Sequence, residues 1–439
     1  MRMTASEVAF AAHGTLIGPD VEAHGISFDS RSLVAGQAFV AVGAERDGHE
    51  FCQDAIARGA AFLLVNHGKR IDGVTCVEVE NTLDALALIG AYLRQKLSAQ
   101  LQNRVVGITG SVGKTSTKDL VLAVLSGGFE HAHGPEKSLN NDIGVPITIA
   151  NAPDGCDALV LEMGMRGFGE IGRLCAVGQP FIGVITEVGD AHSSRVGGID
   201  GVVRAKAELV QSLPADGIAI VNADSVNAMR TVIGIDAQVV TFGSHDGADV
   251  MWSIRSVDES GRHLAVFRYG AEEVSGLVPL PGLHMVSNAA AAVAVGIHCG
   301  MSLQDAVSAL ASAAGAPQRM QWVATKAGLR ILDDSYNANS LSVVAALRTL
   351  TQVKASSRVA VLGQMAEVDD EANAHLSVAA TCRDLGIEIL PLETDLYGLV
   401  ALSVDEIVKR LSIEGIDSVV LVKGSRVSAT ERVVRALIA

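Results

Sequence analysis

The chain has 439 residues, with 34 Lys or Arg against 49 Asp or Glu, and its formal net charge is −15. Nucleic acids and anionic membranes are therefore disfavoured as partners, because an acidic surface repels both and the basic residues form no local patch. A chain of this length exceeds one ordinary hydrophobic core, so we expect two to four domains.

Hydrophobic residues make up 49% of the chain, but aromatic residues only 4%. Ala, Val and Leu carry the apolar content, which is typical of α/β proteins with buried parallel strands. No uncharged apolar run reaches the ~18 residues of a membrane-spanning helix, and the cysteines are widely spaced with no C-x-x-C pair. We expect a cytoplasmic protein with free thiols and no membrane insertion.

Two segments divide the chain, a polar one at 98–103 and an Ala-, Gly- and Pro-rich one at 311–318. Such composition shifts favour linkers between separately packed units. We therefore expect three domains, at residues 1–102, 103–315 and 316–439.

Short apolar runs predict the strands of all three domains. In the first domain they lie at 38–42 and 62–65, with a helix near 51–59. In the other two domains strands and helices alternate, which predicts parallel sheets. The strands expected there are at 105–108, 158–161, 182–186 and 218–221, and at 329–332, 359–362, 387–390 and 419–422.

Residues 105–118, VVGITGSVGKTSTK, read as a strand, a Gly-rich turn and the start of a helix. Backbone N–H groups in such a loop bind polyphosphate, so the chain is expected to bind ATP. Lys114 would reach the outer phosphates, and the Thr115 hydroxyl would ligate Mg²⁺. The loop is shorter than the common P-loop, since Ile108 stands where its first glycine would be. The expected ATP-binding residues here are Gly110, Ser111, Val112, Gly113, Lys114, Thr115 and Ser116.

The strand at 158–161 ends in Glu162. Ligands of open α/β sheets lie beyond the carboxyl ends of the strands, which would bring this carboxylate beside the phosphates. Mg²⁺ prefers a few hard oxygen ligands together with substrate phosphates. We therefore expect Glu162 to ligate the metal; a solvent-facing Glu at a strand end is the alternative.

Two further residues, His192 and Lys206, are ambiguous from their surroundings. His192 follows the strand at 182–186, and a histidine in such a position more often has a structural role. Lys206 lies between Ala205 and Ala207, a poor environment for an unpaired ammonium. A desolvated lysine with a lowered pKa can react with CO₂ to form an anionic, metal-binding carbamate. The residues alone favour an ordinary lysine with its head group in solvent.

Four motifs together resemble the central domain of the Mur ligases, ATP-dependent amide-bond ligases of peptidoglycan precursor synthesis with relatives acting on folate. They are TGSVGKTS at 109–116, LEMG at 161–164, AH at 191–192 and RAKAE at 204–208. The resemblance implies an α/β fold of three domains, with a central P-loop ATPase domain on a parallel sheet and a Rossmann-like C-terminal domain. It implies Lys114, His192 and Lys206 as catalytic residues, and Thr115, Glu162, His192 and carbamylated Lys206 as metal ligands.

Finer motifs resemble the family member that joins D-alanyl-D-alanine to UDP-N-acetylmuramoyl-tripeptide. They are FDSR at 28–31, DGH at 47–49, KSLNNDIGVP at 137–146, LDDSYNAN at 332–339, VLGQMAE at 361–367 and LVKGSR at 421–426. The resemblance covers nearly the whole chain, and it implies a UDP-sugar-binding first domain and a third domain that binds the incoming dipeptide. The third residue of the acceptor peptide, meso-diaminopimelate or lysine, is left open.

The same resemblance assigns further binding residues. Those for ATP are His284, Asn288, Arg319 and Asp334, the first two on one face of a helix start. Those for the substrates are Ser30, Arg31, Asp47, His49, Asn140, Asn141, Asn337, Asn339, Lys423, Ser425 and Arg426. Ser30 and Arg31 offer a hydroxyl and a guanidinium to a diphosphate, although an ordinary surface arginine fits equally well. The Asn140–Asn141 pair suits carbonyl or phosphate binding, with a turn as the alternative.

Two other classes of function stay open. One is a related Mur-type ligase with a different acid or amine substrate. The other is a non-enzymatic paralogue that keeps the fold and binds a partner, which the presence of Lys114, Glu162, His192 and Lys206 disfavours. We expect small-molecule substrates and a monomer.

Overall fold

The computed structural model describes residues 1–43, 46–189, 193–326, 328–366, 368–412 and 418–438. They form a three-domain α/β fold with one main sheet in each domain. None of the helices in these ranges is long and apolar enough to cross a membrane.

The N-terminal domain has a five-stranded sheet in the order β2-β7-β6-β5-β4 and a separate β1–β3 pair. Its strands are β1 (Arg2–Thr4), β2 (Thr15–Ile17), β3 (Glu22–His24), β4 (Ile26–Ser27), β5 (Ala38–Val40), β6 (Leu63–Asn66) and β7 (Cys76–Val79). Its helices are α1 (Ala5–Ala11), α2 (Cys52–Ala57), α3 (Thr82–Lys96) and α4 (Ser98–Leu101), with 3₁₀ turns at Ser30–Ser32 and Gly48–Phe51. The predicted strands and helix are confirmed as β5, β6 and α2.

The central domain has a nine-stranded sheet in the order β16-β15-β14-β13-β12-β11-β8-β10-β9. Its strands are β8 (Val105–Thr109), β9 (Ala132–His133), β10 (Ala158–Glu162), β11 (Ile182–Ile185), β12 (Ile218–Asn222), β13 (Gln238–Gly243), β14 (Val250–Val257), β15 (Arg262–Tyr269) and β16 (Glu272–Pro281). Its helices are α5 (Lys114–Gly128), α6 (Gly144–Ala150), α7 (Glu170–Gly178), α8 (Ser193–Val196), α9 (Ile199–Gln211), α10 (Val226–Arg230), α11 (Leu283–His298) and α12 (Leu303–Ala309), followed by a 3₁₀ turn at Leu310–Ser312.

The C-terminal domain has a five-stranded sheet in the order β17-β18-β21-β19-β20. Its strands are β17 (Gln321–Ala324), β18 (Arg330–Asp334), β19 (Ser357–Leu362), β20 (Glu388–Pro391) and β21 (Ser418–Lys423). Its helices are α13 (Ser340–Gln352), α14 (Glu371–Asp384), α15 (Val404–Leu411) and α16 (Glu431–Ile438), with a 3₁₀ turn at Arg426–Ser428.

All the strands expected in the central and C-terminal domains are present, with ends shifted by at most two residues. The prediction of parallel sheets is confirmed for β8 to β14 and for β18 to β21. It is wrong for β15, β16 and β17, which pair antiparallel. The turns between these strands are too short for the crossover that parallel pairing requires.

The central domain is packed on both sides. One buried apolar cluster joins α5 and α11 of the central domain to α13 and β19 of the C-terminal domain. A second joins the opposite face of the central sheet to the N-terminal domain, including α3. No described strand or helix crosses residues 102–103 or 315–316, and the domain limits at these positions stay a prediction.

A side-chain amide forms one of the polar contacts between the N-terminal and central domains. Asn151, just after α6, accepts hydrogen bonds from the Ile26 backbone N–H at 3.2 Å and from the Gln37 side chain at 3.2 Å. Its own Nδ2 donates to the Ile26 carbonyl at 2.8 Å. The side-chain amide of Asn151 thus pairs with the backbone of β4 as a residue of a neighbouring strand would.

We predict that Asn151→Ala lowers the free energy of unfolding by about 1–3 kcal/mol, because it leaves partly buried polar groups of Ile26 and Gln37 unsatisfied. Urea unfolding at neutral pH measures the change. Asn103→Ala removes an exposed amide and is the matched control, expected to stay within about 0.5 kcal/mol of the parent. Equal stability of the two variants would contradict the bridging role of Asn151.

Candidate active site

The phosphate-binding loop connects β8 to α5. Gly113, the residue before α5, has φ of 86°, a left-handed conformation that side chains rarely adopt. A Cβ there would also lie 2.9 Å from the Asn288 amide oxygen of α11. The first turn of a helix leaves N–H groups without intrahelical acceptors, so the start of α5 is suited to an anion. Lys114 begins this turn, and its Nζ donates to the Gly110 carbonyl at 2.6 Å.

Glu162, at the end of β10, is fully buried and accepts three hydrogen bonds. Thr115 Oγ1 donates to its Oε2 at 2.9 Å, while Ser138 Oγ and Asn140 Nδ2 donate to its Oε1 at 2.8 and 2.9 Å. A buried carboxylate requires such partners because it has lost its hydration. The adjacent hydroxyl and carboxylate oxygens of Thr115 and Glu162 are also the hard ligands that Mg²⁺ prefers, so this pair fits the metal.

The loop that carries Ser138 and Asn140 is anchored to α5. Lys118 is buried, and its Nζ donates to the Pro135 carbonyl at 2.6 Å and pairs with the carboxylate of Asp119. Burial raises the pKa of Asp119, against the effect of the neighbouring ammonium. Lys118 therefore fixes the start of the loop whose later residues hold Glu162.

Lys206 lies on α9 and is 3% exposed. Burial lowers its pKa well below the ordinary value, and the positive charge of Lys114 lowers it further. Among the described residues no acceptor forms a hydrogen bond or ion pair with its Nζ. Burial therefore favours the neutral, nucleophilic form of this amine, which the sequence alone did not favour.

The charged residues on either side of Lys206 hold a neighbouring loop. Glu208 accepts hydrogen bonds from the N–H groups of Gly169 and Gly172, at 2.7 and 3.0 Å, and so caps the start of α7. Arg204 lies over the Phe168 ring, 4.9 Å from its centroid. One turn of α9 thus places Lys206 and also fixes the segment between β10 and α7.

The C-terminal domain adds an ion pair. Asp334 and Lys423 end two adjacent parallel strands in register, and their side chains pair with each other. Lys423 Nζ also donates to the Asn337 carbonyl at 2.9 Å. The ammonium predicted to bind the dipeptide is thus already bonded twice within its own domain.

A cavity of about 1300 Å³ lies between the domains. It brings together most of the predicted site residues from the central and C-terminal domains, and Leu83 of α3 also contacts it. The predicted residues that line it are Ser111, Val112, Gly113, Lys114, Thr115, Ser116, Asn140, Asn141, Glu162, Lys206, His284, Asn288, Arg319, Asp334, Asn337, Asn339, Lys423 and Arg426. Gly110 and Ser425 do not line the cavity themselves, but each is adjacent to a residue that does. His192 lies outside the described residues.

The residues predicted to bind the UDP end do not line this cavity. Arg31 forms a bidentate pair with Asp29, at 2.9 and 2.8 Å, and the guanidinium lowers the pKa of that carboxyl. His49 bonds to Asp47 through Nδ1 and accepts the Asn66 N–H through Nε2 at 3.0 Å. In this arrangement these side chains stabilise the N-terminal domain, together with Ser30, which is buried. Their role toward substrate stays a prediction.

Comparison with known proteins identifies the family. The model of the Mur ligase middle domain matches residues 108–296, and that of the Mur ligase glutamate ligase domain matches residues 318–395. The UDP-N-acetylmuramoyl-tripeptide–D-alanyl-D-alanine ligase of Escherichia coli (strain K12) is 34% identical over 459 residues, which cover 99% of this chain and 98% of that protein. The chain belongs to the Mur ligase family.

Solved structures of similar proteins superpose on this Mur ligase over nearly its whole length. MurF from Acinetobacter baumannii has a TM-score of 0.88 and 29% identity, covering 100% of this chain and 99% of that one. MurF from Thermotoga maritima, in complex with ADP, has a TM-score of 0.80 and 26% identity, covering 94% and 97%. The ligase of Bacillus subtilis (strain 168) with the same full name as the E. coli protein is 33% identical over 378 residues, covering 84% and 80%.

Sequence reasoning did not identify several residues of the Mur ligase site. Ser138 lies within the KSLNN motif but was not singled out, and Lys118 and Glu208 resemble ordinary surface charges. Their roles depend on contacts with Pro135, Glu162 and α7, which are remote in sequence. Only the position of Ser138 beside two predicted asparagines could have indicated it.

His284, at the start of α11, allows a test of the cavity's electrostatics. Burial lowers its pKa to about 4, although the carboxylate of Asp334 opposes this effect. The unfolded chain has the ordinary value of 6.5, so between these values it binds a proton on His284 that the folded chain does not. The contribution of this pKa difference to the free energy of unfolding is therefore fully present above pH 6.5 and decreases as the pH falls below that value.

Urea unfolding at about pH 7.5 and at about pH 5.5 measures how far the free energy of unfolding falls on acidification. We predict that this fall is smaller in His284→Asn than in the parent, by about 1 kcal/mol. His13→Asn replaces an exposed histidine and should show the same pH response as the parent. An identical pH response of the His284 variant and the parent would show that this ring is protonated freely in the folded protein.

Proposed function

We propose that this Mur ligase joins D-alanyl-D-alanine to UDP-N-acetylmuramoyl-tripeptide, consuming ATP and releasing ADP and phosphate, in peptidoglycan precursor synthesis. The observation that carries the proposal is that Lys114, the Thr115–Glu162 pair and Lys206 line one cavity together with cations of the C-terminal domain. The full-length similarity to the E. coli ligase supports the choice of substrates. A related ligase with a different acid or amine is the second candidate.

Phosphoryl transfer would begin the reaction. The terminal carboxylate oxygen of the tripeptide attacks the γ-phosphorus of ATP, the bond to the bridging oxygen breaks, and ADP leaves an acyl phosphate behind. The P-loop and Lys114 position the phosphates and neutralise charge on the phosphoryl oxygens, which is the main contribution of a protein to such a transfer. The amine of the dipeptide then attacks the acyl carbon, and phosphate leaves with loss of a proton from the amine.

Mg²⁺ would be held by Thr115 and Glu162, with His192 and a modified Lys206 supplying a second position. When bound, the metal neutralises phosphate charge and orients the phosphoryl group. Ser138 and Asn140 fix Oε1 of Glu162, so its Oε2 keeps a defined direction beside the Thr115 hydroxyl.

Lys206 would be carbamylated. Its neutral amine adds to CO₂ and releases one proton, giving an anionic N-carboxy group that can ligate metal. The modification would replace a buried amine that has no hydrogen-bond partner among the described residues, and it would put a negative group near Lys114, whose charge lowers the pKa of Lys206. Both effects favour the carbamate over the free amine.

The remaining predicted residues divide between the substrates. His284, Asn288, Arg319 and Asp334 would contact ATP, and Ser30, Arg31, Asp47 and His49 the UDP end after rearrangement of the pairs described above. Asn140, Asn141, Asn337 and Asn339 would orient the peptide, and Lys423, Ser425 and Arg426 the dipeptide. Domain closure would bring these groups together. The substrates are small molecules, and we expect the enzyme to act as a cytoplasmic monomer.

Phosphate release with defined substrates tests the function. We predict that ATP, Mg²⁺, UDP-N-acetylmuramoyl-tripeptide and D-alanyl-D-alanine together give turnover, and that omitting either peptide substrate abolishes it. Lys114→Ala should lower the rate at least about 1000-fold because transition-state charge loses its counter-charge. Lys409→Ala, at an exposed position, is the control. Turnover only with another UDP-sugar peptide or another amine would favour the second candidate.

Variants of Lys206 test the carbamate. We predict that Lys206→Ala and Lys206→Arg both lose at least about 100-fold in rate, since neither can supply a metal-binding anion. A short carboxylic acid should restore part of the activity of the alanine variant, and bicarbonate alone should not. Mass spectrometry or ¹³C NMR with ¹³CO₂ detects the modification directly. An active arginine variant would contradict it.

A further inference from the structure

Two arginines of the cavity share one aromatic ring. Arg319 lies 4.2 Å and Arg426 lies 5.3 Å from the centroid of Tyr336. All three line the cavity, and within the described part of the chain neither guanidinium contacts a carboxylate. Their position in the cavity makes both guanidiniums available to anionic ligands.

The two arginines approach the cavity from different directions. Arg319 belongs to the connection between α12 and β17, and its charge reaches Asp119 of α5, so it is on the phosphate side. Arg426 lies in the turn between β21 and α16 and lines the cavity from the C-terminal domain. Tyr336 is thus placed between the nucleotide region and the region proposed for the dipeptide.

The backbone around Arg319 is strained. Gln318 has φ of 63° and Met320 φ of 51°, so left-handed non-glycine residues flank the arginine on both sides. The segment of Tyr336 holds this conformation: its N–H donates to the Gln318 carbonyl at 3.2 Å, and Asp334 accepts the Met320 N–H at 3.2 Å. Strain of this kind persists only where the surroundings enforce it, and it fixes the direction of Arg319.

Two guanidiniums on one ring repel each other. An anion bound to either arginine offsets that repulsion and lets the other approach the ring, and its own ligand, more closely. Binding at one site should therefore strengthen binding at the other. Linkage requires the effect to be equal in both directions.

We propose that Tyr336 couples the binding of nucleotide to the binding of the dipeptide, by carrying on one ring the arginine for the ATP phosphates and the arginine for the dipeptide carboxylate. The inference rests on the proposed function for the identity of the two anions. Tyr336 is a positioning residue here, since its ring acts through Arg319 and Arg426. The two arginines contact its ring, so we assign the effect to the ring rather than to the hydroxyl.

Calorimetry with the full chain, saturated with UDP-N-acetylmuramoyl-tripeptide and Mg²⁺, tests the coupling. D-alanyl-D-alanine is titrated with and without a non-hydrolysable ATP analogue. The analogue should tighten dipeptide binding at least about 5-fold in the parent, and the dipeptide should tighten analogue binding by the same factor. Tyr336→Phe keeps the ring and should keep this factor. Tyr336→Leu should reduce it to below about 2-fold and raise KM for ATP and for dipeptide about 2- to 5-fold.

Arg426→Lys provides a second variant, which keeps the charge but loses planar stacking, and it should lose the coupling like Tyr336→Leu. Thermal unfolding checks that each variant is folded. A parent without coupling, a leucine variant that keeps it, or a phenylalanine variant that loses it would overturn the inference. If the parent turns over its substrates while the coupling is absent, the inference alone fails; if the parent gives no turnover, the proposed function fails and the inference with it.

Discussion

The site depends on one buried negative charge, the carboxylate of Glu162. A fully buried carboxylate is stable only when its lost hydration is replaced, and here three donors from two segments replace it. Thr115 lies in the first turn of α5, so its hydrogen bond to Glu162 also positions the Gly-rich loop that precedes this helix. Ser138 and Asn140 come from the loop that Lys118 anchors. The two oxygen ligands proposed for Mg²⁺, on Thr115 and Glu162, are thus brought together by folding.

A second electrostatic constraint acts on the lysines. Lys114 and Lys206 are close enough for one to depress the pKa of the other, and burial acts in the same direction. Both effects favour the neutral form of the Lys206 amine, which is also its nucleophilic form. The carbamate proposed for Lys206 fits the same electrostatics, since the ammonium of Lys114 disfavours a second cation and favours an anion in its place.

Local patterns predicted much of this molecule and its site. The P-loop and Glu162 were predictable because each is positioned by the strand that precedes it, and the strands themselves are apolar runs between turns. The partners of Lys423 and His49 were not predictable, since Asp334 and Asn66 are remote in sequence. The same reason hid Ser138. Non-local pairing decides which polar side chains are left for a ligand, and periodicity carries no information about it.

The antiparallel strands that the sequence did not reveal have a role in placing the C-terminal domain. The turn between β14 and β15 carries the Ser260 carbonyl, which accepts a hydrogen bond from Trp322 Nε1 at 3.1 Å. Beside it, Glu259 pairs with Lys354 at 2.8 Å. These contacts sit next to β17, directly after the strained connection that holds Arg319. These contacts therefore help to hold the C-terminal domain against the antiparallel end of the central sheet.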